Sequence, residues 1–204
     1  MAYPVHFDIQ HQERYSRLTT FFRIFLVIPQ QIVLWFYSIA AIVVVFIAWF
    51  AILFTGRYPS GMFGFVTGFV RYASRVNCYM FLVTDRWPPI GAGSPDDGYP
   101  VQVSVDEPER LSRLTTFFRL IMLIPAYVIA YVLTLLLELT SIVAWFIIVI
   151  TGRLPAGLFE VMELPVRYHT RLAAYAALIT DVYPWFQEET LPDPASWTGL
   201  PVFV

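Results

Sequence analysis

Few residues in this sequence are placed to do chemistry, and Glu138 stands out among them. It is the only charge in the run from Leu120 to Gly152. Helical spacing sets it on one stripe with Tyr131, Thr134, Ser141 and Trp145. A carboxyl group inside an apolar helix reads as a proton relay, an ion site or the partner of an arginine. The plainer alternative is a protonated Glu138 that hydrogen-bonds a neighbouring helix and glues it in place. Two arginine pairs come next, Arg71/Arg75 and Arg167/Arg171, each at i and i+4 and so on one helix face. They could hold anionic lipid headgroups between helices. They could equally pair inside the chain with Glu160, Glu163, Asp85 or Asp181.

Other chemistry finds no footing. His6, His11 and His169 are too scattered for a metal site, and Cys78 is alone, so neither a metal centre nor a disulfide framework is expected. There is no phosphate-binding glycine loop and no recognisable Ser/His/Asp set. The expectation is a protein without catalytic residues, metal or cofactor.

The composition explains where such a chain would reside. Of 204 residues, 58% are hydrophobic and only 14% charged, with a mean hydropathy of +0.63. Soluble domains carry about 25% charged residues, so the chain is shifted toward a membrane protein. A net charge of −2 offers no electrostatic case for nucleic acid. All 13 basic residues are arginine, whose fork suits fixed ion pairs and headgroup phosphates, although codon bias would give the same composition.

The elements that position these residues occur twice. Tyr3-Pro4-Val5 recurs as Tyr99-Pro100-Val101, and Arg17 to Arg23 as Arg113 to Arg119. Ala48-Trp49-Phe50, Thr55-Gly56-Arg57, Val70-Arg71-Tyr72 and Thr84-Asp85 recur at the same offset of 96 without a gap. Aligning 3–89 on 99–185, about 34 of 87 positions are identical, roughly 39%. The chain divides into a first repeat, 1–89, a Gly/Pro/Asp-rich linker, 90–98, a second repeat, 99–185, and a tail, 186–204. The tail holds Pro192, Pro194 and Pro201 with Trp197 and Phe203 and should be extended.

Each repeat opens on a short strand, and the two strands are candidates to pair. An amphipathic helix follows, about 12–28 and 108–124, with Arg14, Arg17 and Arg23, or Arg110, Arg113 and Arg119, opposed to Phe and Leu. Such a helix suits the membrane interface, and Glu13 four before Arg17 would pair along it. From Ile24 to Gly56 there is no charge. Those 33 residues would make a helix of about 50 Å, against a hydrocarbon core of about 30 Å, so a cut at Pro29 and Pro125 is expected. That leaves spans of about 30–54 and 126–150, with Trp49 and Trp145 as interfacial aromatics. A tight hairpin within the run is the alternative. The last helices, 61–84 and 157–180, either span with their arginines inward or lie flat.

The sequence therefore reads as an all-α integral membrane protein built from a tandem internal repeat. Each repeat has a short strand, an interfacial helix and about two transmembrane helices. Two spans per repeat would leave only Arg57 and Arg153 in the opposite loops, and the positive-inside rule would then put both termini in the cytoplasm. One span per repeat would invert the repeats.

The motifs Arg-x-x-Arg-Leu-x-x-Phe-x-Arg, Ile-Pro, Ala-Trp-Phe, Thr-Gly-Arg-Tyr-Pro-x-Gly, Arg-Tyr-x-x-Arg-x-x-x-Tyr and Leu-x-Thr-Asp-x-x-Pro resemble a bacterial membrane-protein family known as domain of unknown function 4389. Copy one carries them at Arg14, Arg17, Arg23, Pro29, Ala48 to Phe50, Thr55 to Gly61, Arg71, Arg75, Tyr79 and Asp85. Copy two matches at the offset positions, with Leu154 where the family tends to have Tyr. The resemblance implies a bacterial, multi-pass protein of the inner membrane and no reaction. The expected role is an accessory or scaffold subunit of a larger membrane protein complex, in contact with membrane lipids and other membrane subunits. The alternative is a lipid- or small-molecule-binding or transport protein.

Overall fold

The structure, a computed structural model, describes residues 3–91, 93 and 98–185. The tail 186–204 and most of the linker lie outside the described residues. The elements are β1 (Val5–Ile9), α1 (Arg17–Phe21), α2 (Arg23–Thr55), α3 (Ser60–Met80), β2 (Val101–Val105), α4 (Arg113–Thr151) and α5 (Ala156–Ala176).

Local chemistry sets the helix ends. Ser16 and Ser112 are N-caps whose hydroxyls accept the N–H of Thr19 and Thr115. Asp85 and Asp181 then accept the cap N–H groups of Ser16 and Ser112, at 2.9 and 2.5 Å. The amphipathic helix therefore starts at Arg17, not at residue 12, and Glu13 precedes the helix and has no i, i+4 register with Arg17. Gly56 and Gly152 close α2 and α4 in the left-handed region, at φ 71° and 73°. Leu82 and Leu178, an equivalent pair after α3 and α5, both sit at φ 63°. A leucine there costs about 1–2 kcal/mol. Its burial and the Val83-to-Cys78 and Ile179-to-Ala174 backbone bonds hold it.

Pro29 and Pro125 do not cut the apolar runs, contrary to expectation: both lie inside continuous helix. Each proline leaves one carbonyl unpaired, an interior cost of about 3 kcal/mol. Packing offsets it, because residues on both flanks of the proline bury against the following helix. Val27 packs with Tyr72, Val76 and Tyr79, and Leu123 and Ala126 with Tyr168, Leu172 and Tyr175. Copy one breaks instead at Phe22 (φ −90°, ψ 11°), where copy two is unbroken.

The strands pair antiparallel with Phe7 opposite Val103, equivalent residues of the two repeats. A pseudo-two-fold axis therefore passes between them, perpendicular to the sheet. Contacts between the repeats come in matching pairs about this axis. Tyr15 N–H donates to Gly152 O and Leu111 N–H to Gly56 O, each at 3.0 Å. The Trp49 indole donates to Thr116 O and the Trp145 indole to Thr20 O, each at 3.1 Å. These half-buried tryptophans tie the repeats together and do not act as free interfacial anchors. The end of α2 thus lies beside the start of α4, and the end of α4 beside α1, so α2 and α4 run antiparallel.

The molecule is layered along the axis. The inner sheet face (Val5, Phe7, Ile9, Val101, Val103) is buried on α3 and α5, while the outer face carries His6, Asp8, Gln102 and Ser104. On the far flank α2 and α4 cover α3 and α5 and turn Phe25, Trp35, Phe46, Leu120, Leu139 and Ile150, among many others, outward. Among the described residues only α2 and α4 are long and apolar enough to cross a membrane. That corrects the expected two spans per repeat. The helices α3 and α5 are largely buried; Arg71 and Arg75 turn toward β2, and Arg171 toward the Trp185 carbonyl beyond α5.

Candidate functional site

Three constellations gather the polar side chains. The first is a bracket in each repeat. Arg23 is buried, donates to the carbonyls of Tyr79 and Thr84 at 3.1 and 3.0 Å, and pairs with Asp85 at 2.6 Å. Its face lies 4.0 Å from the Tyr79 ring. Arg119 repeats this with the carbonyls of Tyr175 and Thr180, Asp181 and the Tyr175 ring. Placing Arg23 and Arg119 on an interfacial helix face was therefore incorrect: both point inward, because the conserved spacing to Thr-Asp in each copy brings a carboxylate and two helix-end carbonyls around the guanidinium. Each bracket ties the start of the long helix to the end of the shorter one. It is structural.

The second constellation lies under the sheet. Arg71 donates to Val103 O and Gly93 O, and Arg75 to Val101 O. The strand edge thus receives side-chain donors where a third strand would otherwise pair. Arg75 and Arg171 stack on Tyr99 and Tyr3, each tyrosine belonging to the other repeat's equivalent position. Tyr99 in turn donates to Arg86 O at 2.7 Å, and Tyr3 to Val182 O. Burial pushes the hydroxyls of Tyr3 and Tyr99 well above the usual tyrosine range, as it does for Tyr15, which donates to Val83 O. Arg71, Arg75 and Arg171 are buried. Arg167 is partly exposed and pairs along its helix with Glu163, as the spacing allowed. Cys78 is fully buried, which raises its thiol far above the ordinary value, so it is inert.

The third lies on the pseudo-two-fold axis between α3, α4 and α5. A cavity of about 230 Å³ is lined by Ser74, Asn77, Thr134, His169 and Thr170, with Phe81 and Leu137 among its apolar walls. Ser74 and Thr170, equivalent residues, meet hydroxyl to hydroxyl at 2.9 Å. His169 Nδ1 lies 2.6 Å from Pro165 O, so Nδ1 carries a proton, and Nε2 lies 2.9 Å from the Thr134 hydroxyl. The lining is chemically asymmetric about the axis: His169 is matched by Ala73, which also lines the cavity, and Thr134 corresponds to Ser38.

The stripe of Glu138 is thus partly assembled. Thr134 enters the cavity, and Ser141 donates to Phe81 O at 3.2 Å. Glu138, one turn beyond Thr134, is exposed and has no hydrogen bond or ion pair to another described residue. Among the described residues it does not glue one helix to another. His169 was missed as a site residue; its i, i+4 relation to Pro165, which lets Nδ1–H reach the Pro165 carbonyl on the same helix, was the available signal.

The remaining interfacial arginines are exposed at the ends of the long helices. Arg57, Arg110 and Arg113 line one depression with Thr55, Gly56 and Leu111. A Cβ on Gly56 would lie 3.6 Å from Arg113 Nε, and one on Gly152 3.3 Å from Arg17 Nε. Arg14, Arg17 and Arg153 occupy the equivalent positions at the other end. Arg57 therefore shares a side with Arg110 and Arg113, and the division of arginines across a bilayer expected from the sequence does not survive.

The profile of the family described as Domain of unknown function (DUF4389) matches residues 17–91 and again 113–188. No curated protein and no solved structure matches the chain. The two matches cover most of the sequence, and the chain belongs to this family, with two tandem copies.

Proposed function

We propose that this DUF4389 protein is a non-catalytic integral protein of a bacterial cytoplasmic membrane, serving as an accessory or scaffold subunit of a larger membrane protein complex. The observation that carries the reading is the continuous exposed apolar face of α1, α2 and α4, from Leu18 to Phe54 and from Leu114 to Ile150. An apolar surface of that extent does not persist in water on a soluble monomer. Glu138, exposed within this face, needs a counter-group that the described residues do not supply, and a neighbouring subunit is the natural source. Partners are thus membrane lipids and other membrane subunits.

The cavity under Ser74 and Thr170 favours a second reading, a lipid- or small-molecule-handling protein. It joins hydroxyl, amide and imidazole groups to apolar walls, the usual mix of a small-ligand site. Purification from native membranes in mild detergent separates the two. Partner proteins in fixed stoichiometry, lost on Glu138→Ile, support the scaffold. A lone particle with bound lipid supports the second reading. Recovery in the aqueous fraction without detergent refutes both.

A further inference from the structure

We propose that the protein lies along the membrane rather than across it, with its pseudo-two-fold axis on the membrane normal. The arginine clusters Arg57/Arg110/Arg113 and Arg14/Arg17/Arg153 then seat phosphates of anionic lipids in the same leaflet. The inference rests on the membrane reading above and replaces the multi-pass arrangement expected from the sequence.

Three observations carry it. The first is length. The helices α2 and α4 have 33 and 39 residues and run through their prolines. They are about 50 and 58 Å long, against a core of about 30 Å. Immersing the 31-residue apolar stretches 24–54 and 120–150, each about 47 Å long, would demand tilts of about 50°, whereas spanning helices tilt by about 0–40°. Helices lying in the plane meet no such limit.

The second is symmetry. The axis enters between Phe7 and Val103 and passes Ser74 and Thr170. In a spanning arrangement α2 and α4 are antiparallel, so the axis would lie in the membrane plane at mid-depth. The outer sheet face, with His6 and Asp8, would then face lipid at the bilayer centre. An ionic face is not tolerated there. With the axis along the normal, the same face points to water and the apolar face of α2 and α4 to lipid.

The third is the rim. The two arginine clusters are equivalent about the axis and so lie at equal height, at opposite ends of the apolar face. Their six guanidinium groups have no ion pair to another described residue. Leu18 and Phe21, or Leu114 and Phe117, expose apolar side chains beside them. Guanidinium groups flanked by immersed apolar residues match the phosphate level of a leaflet. The occupant is the lipid headgroup phosphate, presented at that depth by its own acyl chains.

Single cysteines at Glu13 and Ser60 report on the two ends, each beside one cluster, and both sites are exposed. Native Cys78 is fully buried and stays silent. The in-plane arrangement predicts that a membrane-impermeant maleimide labels both sites in spheroplasts or both in inverted vesicles, never one in each. Labelling of the two from opposite sides overturns it while leaving the membrane reading intact; failure to sediment with membranes overturns that reading instead. For the lipid sites, thermal unfolding of the full chain in detergent is followed with added phosphatidylglycerol, phosphatidylcholine or inorganic phosphate. The expected result is a rise in Tm with phosphatidylglycerol only, at least halved in Arg110→Gln and in Arg57→Gln. An equal rise with inorganic phosphate makes the clusters free-anion sites, and equal effects of the two lipids remove the headgroup role; either overturns this part.

Discussion

Ser74 and Thr170, separated by 96 residues, touch through their hydroxyls at 2.9 Å at the point where the two repeats meet. Each hydroxyl also reaches the carbonyl four residues upstream, Val70 O and Val166 O. Only one of the two can donate across the axis, so the symmetry of the fold is broken at the level of a single proton. Ser74→Ala or Thr170→Ala should each cost about 1 kcal/mol, by removing half of a buried pair. The double replacement should cost clearly less than the sum. Denaturant unfolding of the four proteins in one detergent measures the coupling; strict additivity would mean that the contact contributes nothing.

The bracket around Arg23 sets a larger scale. Its guanidinium is 3% exposed and Asp85 18%. Asp85→Ala leaves a buried charge with two carbonyls and no counter-ion and should destabilise by about 3–5 kcal/mol. Asp181→Ala should do the same to Arg119, which is placed alike. Arg23→Met with Asp85→Leu should recover most of the loss, because the pair itself contributes little beyond an apolar contact of the same shape. Apparent Tm values of these variants decide the matter, and an intact protein after Asp85→Ala would mean that another group neutralises Arg23.

Gly56 and Gly152 should not be interchangeable with alanine, nor equal to each other. Both are left-handed, which costs alanine about 1–2 kcal/mol. The added methyl meets Arg113 Nε at 3.6 Å in copy one, ordinary contact, but Arg17 Nε at 3.3 Å in copy two. Gly152→Ala should therefore be the more damaging of the two in a thermal melt. Equal losses would show that backbone strain alone governs the turn.

The buried tyrosines fix the alkaline limit. Folding raises the pKa of Tyr3, Tyr15 and Tyr99 by removing their hydroxyls from water. The unfolded chain ionises them near pH 10. Their contribution is therefore complete below that pH and is lost as the pH climbs from there toward the raised native values. Stability should be flat through neutrality and fall above about pH 10. Tyrosinate absorbance should rise with unfolding and not before it; ionisation of these residues in the folded protein would contradict the burial.

Much of this architecture was legible because duplication writes geometry twice. An offset of 96 held from Tyr3 to Pro88, so any contact joining equivalent residues had to lie on a two-fold axis. The pairing of β1 with β2 and the inward turn of Arg71 and Arg75 were within reach of the pattern. The helix boundaries were not. A proline predicts a break from local sterics, whereas Val27 and Leu123 bury on the next helix and carry the chain through. Nor could sequence show that Thr-Gly-Arg of one repeat meets Arg17 or Arg113 of the other, since a linear motif is silent about which copy it touches. The cavity was half visible: Thr134 lay on the stripe of Glu138, but His169 belongs to another helix and joins it only through the fold.

Glu138 offers the sharpest separation of stability from role. Its equivalent in copy one is Ile42, which is exposed on the same apolar face. A carboxylate in the apolar face of this helix opposes its burial in lipid. Nothing within the described residues recovers that cost, so Glu138→Ile should leave the fold unchanged or firmer in detergent and strengthen retention in membranes. If the residue meets a cationic group of a neighbouring subunit, the same variant should lose that subunit on native purification, and Glu138→Gln should lose it too, while Glu138→Asp keeps part of it. A variant that gains retention and still holds every partner would leave the carboxyl group without a role in assembly and would move the search to the cavity beside Thr134.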